Sequence, residues 1–229
     1  MKAVIISDLH GNYEALSTLP ESYDELWVLG DIVNYGTEPA AVVDFIQTRA
    51  SLAIRGNHDH AVGYGKDPRC TPRYAVMAST TQKLSEAQLS VQQLQFLQDL
   101  PVHEEFQRDG MKLYCCHAKP SNPLYGYCPV DSPEWESELR AIDVDVILVG
   151  HTHTPFLRHY GNKILCNPGS LGQPKTGNPN ACYAVWQDGK IELKSYRYPY
   201  EATIKKIEAQ PFGSEIKKDL IAVLMTGSV

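Results

Sequence analysis

The sequence predicts an α/β protein, and three observations carry that reading. Short apolar runs rich in β-branched residues alternate with helix signals through the first half of the chain. The last third changes to paired apolar runs around glycine-containing turns. The 229 residues, 43% apolar and 21% charged, suit one globular domain spanning 1–229.

Ala3 to Ser7 is a first strand, ending at Asp8. Leu26-Trp27-Val28-Leu29 is a second, ending at Gly30-Asp31. Thr37 then offers a cap and Pro39 a first-turn proline for a helix whose stripe is Val42, Val43, Phe45 and Ile46. Leu52-Ala53-Ile54 is the third strand, ending at Arg55-Gly56-Asn57. Strands alternating with helices imply buried sheets with crossover connections. Pro72 to Leu84 reads as a helix, and Ser85-Glu86-Ala87-Gln88 as a capping box opening another, with Leu89, Leu94, Phe96 and Leu97 inward. Lys112 to Cys116 is the fourth strand, ending at His117. Ser132-Pro133 opens a short helix, and Val144 to Val149 is the fifth strand, ending at Gly150-His151. Phe156 to Asn167 reads as a hairpin around Gly161-Asn162, and Cys182–Trp186 with Ile191–Tyr196 as another around Asp188-Gly189. The tail after Tyr200 is helical in two pieces, broken near Pro211-Phe212-Gly213.

A net charge of −6 argues against a broad basic groove, so nucleic acid is not an expected partner and a nuclease is disfavoured. A small phosphorylated substrate is compatible, because bound cations reverse a local field. Six cysteines without a C-x-x-C pair read as reduced core residues. The N-terminal segment is too quickly polar for a secretory signal and no apolar stretch approaches membrane-spanning length. A cytoplasmic location, away from membranes, is the default expectation.

Five apolar runs end in residues with metal- or phosphate-binding chemistry. These are Asp8-Leu9-His10, Gly30-Asp31, Gly56-Asn57-His58-Asp59, His117 and Gly150-His151-Thr152-His153. The carboxyl ends of strands are where sites form in open α/β sheets. Each string alone has a structural reading as a turn, a polar loop or a surface histidine. Their order, spacing and shared position at strand ends point to a metal centre. His151 and His153 fall on one side of an extended segment. Imidazole, carboxylate and one amide carbonyl suit manganese, iron or zinc better than a thiolate site would. Asp31, with two oxygens, is the candidate to bridge paired ions.

The series D-x-H-G-N (Asp8 to Asn12), G-D (Gly30-Asp31), G-N-H-D (Gly56 to Asp59), His117 and G-H-T-H (Gly150 to His153) resembles the calcineurin-like metallophosphoesterases. The stretch Asn167 to Pro174 and the tail Tyr200 to Ile204 look like the small bacterial and archaeal branch, which includes phosphodiesterases and relatives of diadenosine tetraphosphate hydrolases. The resemblance implies a four-layer αββα sandwich of two mixed β-sheets flanked by helices, with a dinuclear metal site at the strand C-terminal edge. It implies two divalent transition-metal ions, Mn²⁺ the expected activator in vitro and Fe or Zn the alternatives. Asp8, His10, Asp31 and His153 would hold one ion; Asp31, Asn57, His117 and His151 would hold the other. His58 would be the catalytic histidine beside a metal-bridging hydroxide. The bond broken would be a phosphodiester, phosphomonoester or phosphoanhydride, in a nucleotide or dinucleoside polyphosphate-like substrate.

His58, if protonated, can stabilise added charge or give its proton to the leaving oxygen. Arg55 has two open readings, a fork on a phosphate oxygen or a surface ion pair. Asp59 reads as a turn or neighbour-orienting residue. Asn34 and Tyr35 stand where serine/threonine phosphatases carry Asp and a phosphate-binding Arg, which speaks against protein phosphatase activity. Tyr35 is expected as a half-buried loop tyrosine, with base stacking as the alternative. Asn12, Tyr64 and Lys119 lie close to the motifs without an assigned role. A non-catalytic scaffold of the same fold is the second functional reading, and the presence of His58 weighs against it.

Overall fold

Alternation along the first strand sets the layering: Ala3 and Ile5 join one buried cluster, Val4 and Ile6 another. The computed structural model describes residues 1–228. One five-stranded sheet has the order β10 (Lys190–Tyr196), β9 (Ala181–Gln187), β1 (Lys2–Ile6), β2 (Glu25–Val28), β3 (Leu52–Ala53). β1, β2 and β3 are parallel neighbours, while β9 runs antiparallel to both β1 and β10. The other has the order β4 (His103–Arg108), β5 (Met111–Cys116), β6 (Val146–Leu148), β8 (Lys163–Asn167), β7 (Phe156–Tyr160). There β5, β6 and β8 are parallel, and β4 and β7 close the edges antiparallel.

The sheets meet face to face through Ala3, Ile5, Trp27, Leu29 and Trp186 from one and Leu113, Cys115, Val146, Leu148 and Cys166 from the other. Each large side chain fully buried here contributes roughly 2–3 kcal/mol. Helices α1 (Tyr13–Ser17), α2 (Pro39–Arg49) and α5 (Val91–Asp99) cover the outer face of the first sheet with Leu16, Val42, Val43, Ile46 and Leu97. Helix α6 (Glu134–Arg140) covers the second with Trp135 and Leu139, against Tyr114, Cys116 and Ile147. The result is the expected αββα sandwich of two mixed sheets. Helices α4 (Pro72–Gln88), α7 (Tyr200–Ala209) and α8 (Ser214–Thr226) form a further cluster around Met77, Ile207, Leu220 and Leu224, which Tyr35 joins. All six cysteines are free. Among the described residues no helix is long and apolar enough to cross a membrane.

Several elements differ from the sequence expectation, which also contained no helix α1 between the first two strands. Helix α4 does not end at Leu84; it runs through Ser85 to Gln88. The Ser85 hydroxyl is buried and donates back to the Thr81 carbonyl at 3.1 Å, so it caps nothing. The box that opens the next helix is Ser90–Gln93, where the Gln93 N–H donates to Ser90 Oγ at 3.2 Å and the Ser90 N–H to Gln93 Oε1 at 2.9 Å. Strand β4, His-Glu-Glu-Phe-Gln-Arg, carried no apolar run because it is a largely exposed edge strand. Finally, Asn57 to Asp59 are the first turn of helix α3 (Asn57–Tyr64), not an open loop.

Candidate metal centre

In-register pairing of β1, β2 and β3, through Ile6↔Val28 and Val28↔Ala53, brings their carboxyl ends side by side. In the other sheet Cys115, Leu148 and Cys166 are aligned likewise. The loops beyond are then tied across: the Asp8 N–H donates to Gly30 O at 3.0 Å, His10 to Asp31 O at 2.9 Å and Gly150 to His117 O at 2.8 Å. Asp8, His10, Asp31, His151 and His153 all hold left-handed backbone with φ between 47° and 63°. For non-glycine residues this costs of order 1 kcal/mol or more each, and such strain concentrates at functional sites. Gly56 permits a close approach to the site carboxylate: a Cβ there would lie 2.1 Å from Asp31 Oδ1.

The seven sequence-predicted ligands converge. Asp8, His10, Asp31 and His153 form one group able to hold an ion; Asp31, His117 and His151 form a second, and within each group the ligand atoms lie within 4.8 Å of one another. Asp31 belongs to both. Its Oδ2 is 3.2 Å from His117 Nε2 and 3.7 Å from His10 Nε2, while its Oδ1 accepts the His58 N–H at 2.9 Å. Asn57 reaches the second group through Oδ1, 3.1 Å from His117 Nε2, because its Nδ2 is committed to Pro68 O at 2.8 Å.

The donor set fits cations. His10, His117 and His153 direct Nδ1 to the carbonyls of Val33 (3.2 Å), Leu29 (2.7 Å) and Gln173 (2.5 Å). Those carbonyls hold the Nδ1 protons and turn the three Nε2 atoms inward, toward where a cation would sit. His10 Nε2 and His153 Nε2 are 3.2 Å apart, an arrangement that repels unless something positive lies between them. Asp8 Oδ1 is buried and accepts no hydrogen bond, which is costly for a carboxylate without a cation.

Burial works to raise the two carboxylates, but His153 and then His117 hold Asp8 well below its ordinary range, and His117 and then His58 do the same for Asp31. Burial lowers His10 well below the usual imidazole range, and it brings His151 to about 3 with help from His117. His117 is the exception. Burial opposes its charge, yet Asp31 beside it outweighs that and pushes it up to about 9. At neutral pH the pocket therefore offers two carboxylates and neutral imidazoles at His10 and His151.

His58 lines a cavity of about 340 Å³ that opens onto both ligand groups. Its Nδ1 is 2.8 Å from Asn34 Nδ2. Asn34 Oδ1 is occupied by the Tyr35 N–H at 3.0 Å and by the Thr81 hydroxyl, so the amide can only donate to the ring. The proton of His58 is thus on Nε2, which is 3.4 Å from Cys70 Sγ. Burial lowers His58 to about 4. The surroundings favour a neutral Nε2–H donor over the imidazolium considered from sequence.

Other candidates fall elsewhere. Arg55 does not line the cavity; its Nη1 donates to Gln98 O at 2.7 Å and to the Tyr64 hydroxyl at 3.0 Å. Among the described residues it makes no ion pair, and its guanidinium is engaged away from the cavity. Asp59 accepts from the backbone N–H groups of Ile32 (2.7 Å), Val33 (3.2 Å) and Gly56 (2.9 Å), knitting the β2 and β3 loops together. Burial, with the Asp31 charge adding to it, raises Asp59 to about 7. Tyr35 is more buried than expected, 4% exposed, with its ring against His10 (4.8 Å) and His58 (4.9 Å). Asn12 caps α1 and donates to Gly172 O and to the Tyr198 hydroxyl. Lys119 pairs with Glu134 and Glu138. Sequence reasoning missed Cys70, Tyr74, Tyr127 and Lys175, which also line the cavity. Only Lys175 carried a signal, adjacency to the Asn167–Pro174 stretch.

Residues 1–188 match the calcineurin-like phosphoesterase superfamily domain. An uncharacterised protein of Methanocaldococcus jannaschii, MJ0912, is 32% identical over 227 residues, covering 89% of this chain and 90% of that one. The phosphodiesterase YfcE of Escherichia coli is 27% identical over 208 residues, 84% of this chain and 91% of YfcE. The crystal structure of a metallophosphoesterase from Sphaerobacter thermophilus superposes with a TM-score of 0.83 at 26% identity, covering 97% of this chain and 99% of that one. With its domain match, its two mixed sheets and its candidate ligand groups at one edge, the chain belongs to the calcineurin-like phosphoesterase superfamily.

Proposed function

We propose that this chain is a dinuclear metal-dependent phosphoesterase acting on a small phosphorylated substrate, a phosphodiester, phosphomonoester or phosphoanhydride of nucleotide or dinucleoside polyphosphate kind. The observation that carries the reading is Asp31, the one carboxylate common to both ligand groups. Asp8, His10, Asp31 and His153 would hold one ion, and Asp31, Asn57, His117 and His151 the other. The mixed nitrogen and oxygen donors favour Mn²⁺, Fe or Zn. The chemistry two such ions supply when bound is Lewis acidity at a phosphoryl oxygen and a water made acidic enough to attack.

The protein's part is positioning and hydrogen bonding. His58 Nε2–H faces the cavity and donates to a phosphoryl or leaving-group oxygen, held in that tautomer by Asn34. Tyr35 walls the cavity floor and keeps water from the ring faces of His10 and His58. Arg55 is structural in this reading. The name of YfcE, a phosphodiesterase at 27% identity, supports a diester substrate.

The test is a screen of Mn²⁺-loaded protein against an aryl phosphate monoester, its diester, cyclic nucleotides and dinucleoside polyphosphates. Turnover that chelation abolishes and Mn²⁺ restores is expected. His58→Ala should keep its metal and lose roughly 10²–10⁴-fold in kcat. No turnover on any of these by metal-loaded protein would favour the scaffold reading instead.

A further inference from the structure

Among the described residues Lys175 is the only lysine or arginine that lines the metal-facing cavity. Its Nζ lies over the Tyr74 ring, 4.5 Å from the centroid. The Tyr74 ring holds the ammonium and the preceding residues anchor its backbone. Tyr74 offers its π face, and Gln173, two residues earlier, is pinned by the contact between its carbonyl and His153 Nδ1. Pro174 between them removes backbone freedom.

Among the described residues Lys175 has no carboxylate within ion-pairing distance; burial lowers it, and the more distant Asp8, then Cys70 and Asp31, favour its protonated form. Asp8 and Asp31 are proposed metal ligands, so cation binding would engage the carboxylates that offset the ammonium. A partly desolvated ammonium without a counter-ion is costly. Its retention at the cavity wall therefore calls for an anion from outside the protein. Other cations do not fill that role. Arg55, the nearest sequence candidate, does not line the cavity and is tied to Gln98 and Tyr64.

We propose that Lys175 binds a non-bridging oxygen of the substrate phosphoryl group, the protein's own cation in a cavity otherwise made positive only by the metal centre; this rests on the phosphoesterase reading above. A lysine suits the task as a point charge with three rotatable donors, able to follow one oxygen as the ester turns over. Lys175 is then a binding residue, with its effect concentrated in affinity for phosphate-bearing molecules.

The test compares wild type, Lys175→Met and Lys175→Arg, each loaded with Mn²⁺, by calorimetric titration with inorganic phosphate, with metal content measured in parallel. Lys175→Met should keep the wild-type metal stoichiometry and weaken phosphate binding about tenfold or more, the size of one charge-assisted hydrogen bond. Lys175→Arg should restore most of it, and KM for an aryl phosphate should rise in Lys175→Met more than kcat falls. Phosphate affinity within about twofold of wild type, or loss of metal in both variants, overturns the proposal. If wild type binds phosphate more tightly than Lys175→Met yet turns over no substrate, the anion site stands and the enzyme reading fails.

Discussion

His117 holds a proton where a cation would bind. Asp31 and then Asp8 outweigh burial and push it up to about 9, so at neutral pH its Nε2, 3.2 Å from Asp31 Oδ2, is protonated. Proton and metal compete for that lone pair. The sign follows: below about pH 9 the proton must leave first, so apparent metal affinity rises about tenfold per pH unit toward that value and flattens above it. His10 and His151 are already neutral and add no such step. Mn²⁺ titrations in buffers of different ionisation enthalpy should report release of about one proton per chain at neutral pH; a buffer-independent enthalpy would contradict it. The residues in this chemistry were legible because each stands in a short string at a strand end. Lys175, Tyr74 and Cys70 were not. They come from remote segments, the first turn of α4 and two loops, and nothing local in Thr71-Pro72-Arg73-Tyr74 or Gln173-Pro174-Lys175 marks them as facing one cavity.

Among the helices, two S-x-x-Q strings five residues apart competed for one N-terminus. Ser85 lost because its hydroxyl is buried and bonded back to Thr81, inside a helix whose cluster includes Met77 and Ala78. Ser90 won because both halves of its box are made. Ser90→Ala should therefore cost about 1 kcal/mol, while Ser85→Ala, which frees no capped amide, should cost less than half of that. Paired urea denaturation of the two variants checks the order; equal losses would place the boundary wrongly. Helix α3 was missed for a related reason. Its Asn-His-Asp-His start has no apolar stripe, and it is stabilised by tertiary bonds, chiefly Asp59 to the amides of Gly56, Ile32 and Val33. That same helix start presents Asn57 and His58 to the cavity.

The whole molecule works as a clamp made from two parallel triplets, β1-β2-β3 and β5-β6-β8, whose carboxyl edges face one pocket. Strand alternation and the five strand-end motifs made the α/β class and the pocket legible. Sheet order was not legible from pattern: the β9–β10 hairpin pairs with β1 across almost the full chain, a contact no local string encodes. The sandwich came instead from the motif resemblance.

Dependence of both ligand groups on Asp31 is most directly tested by metal analysis of Asp31→Asn against wild type. About two ions per chain are expected in wild type, with both occupancies falling together in the variant. Full retention of one ion in Asp31→Asn would contradict the shared-carboxylate centre.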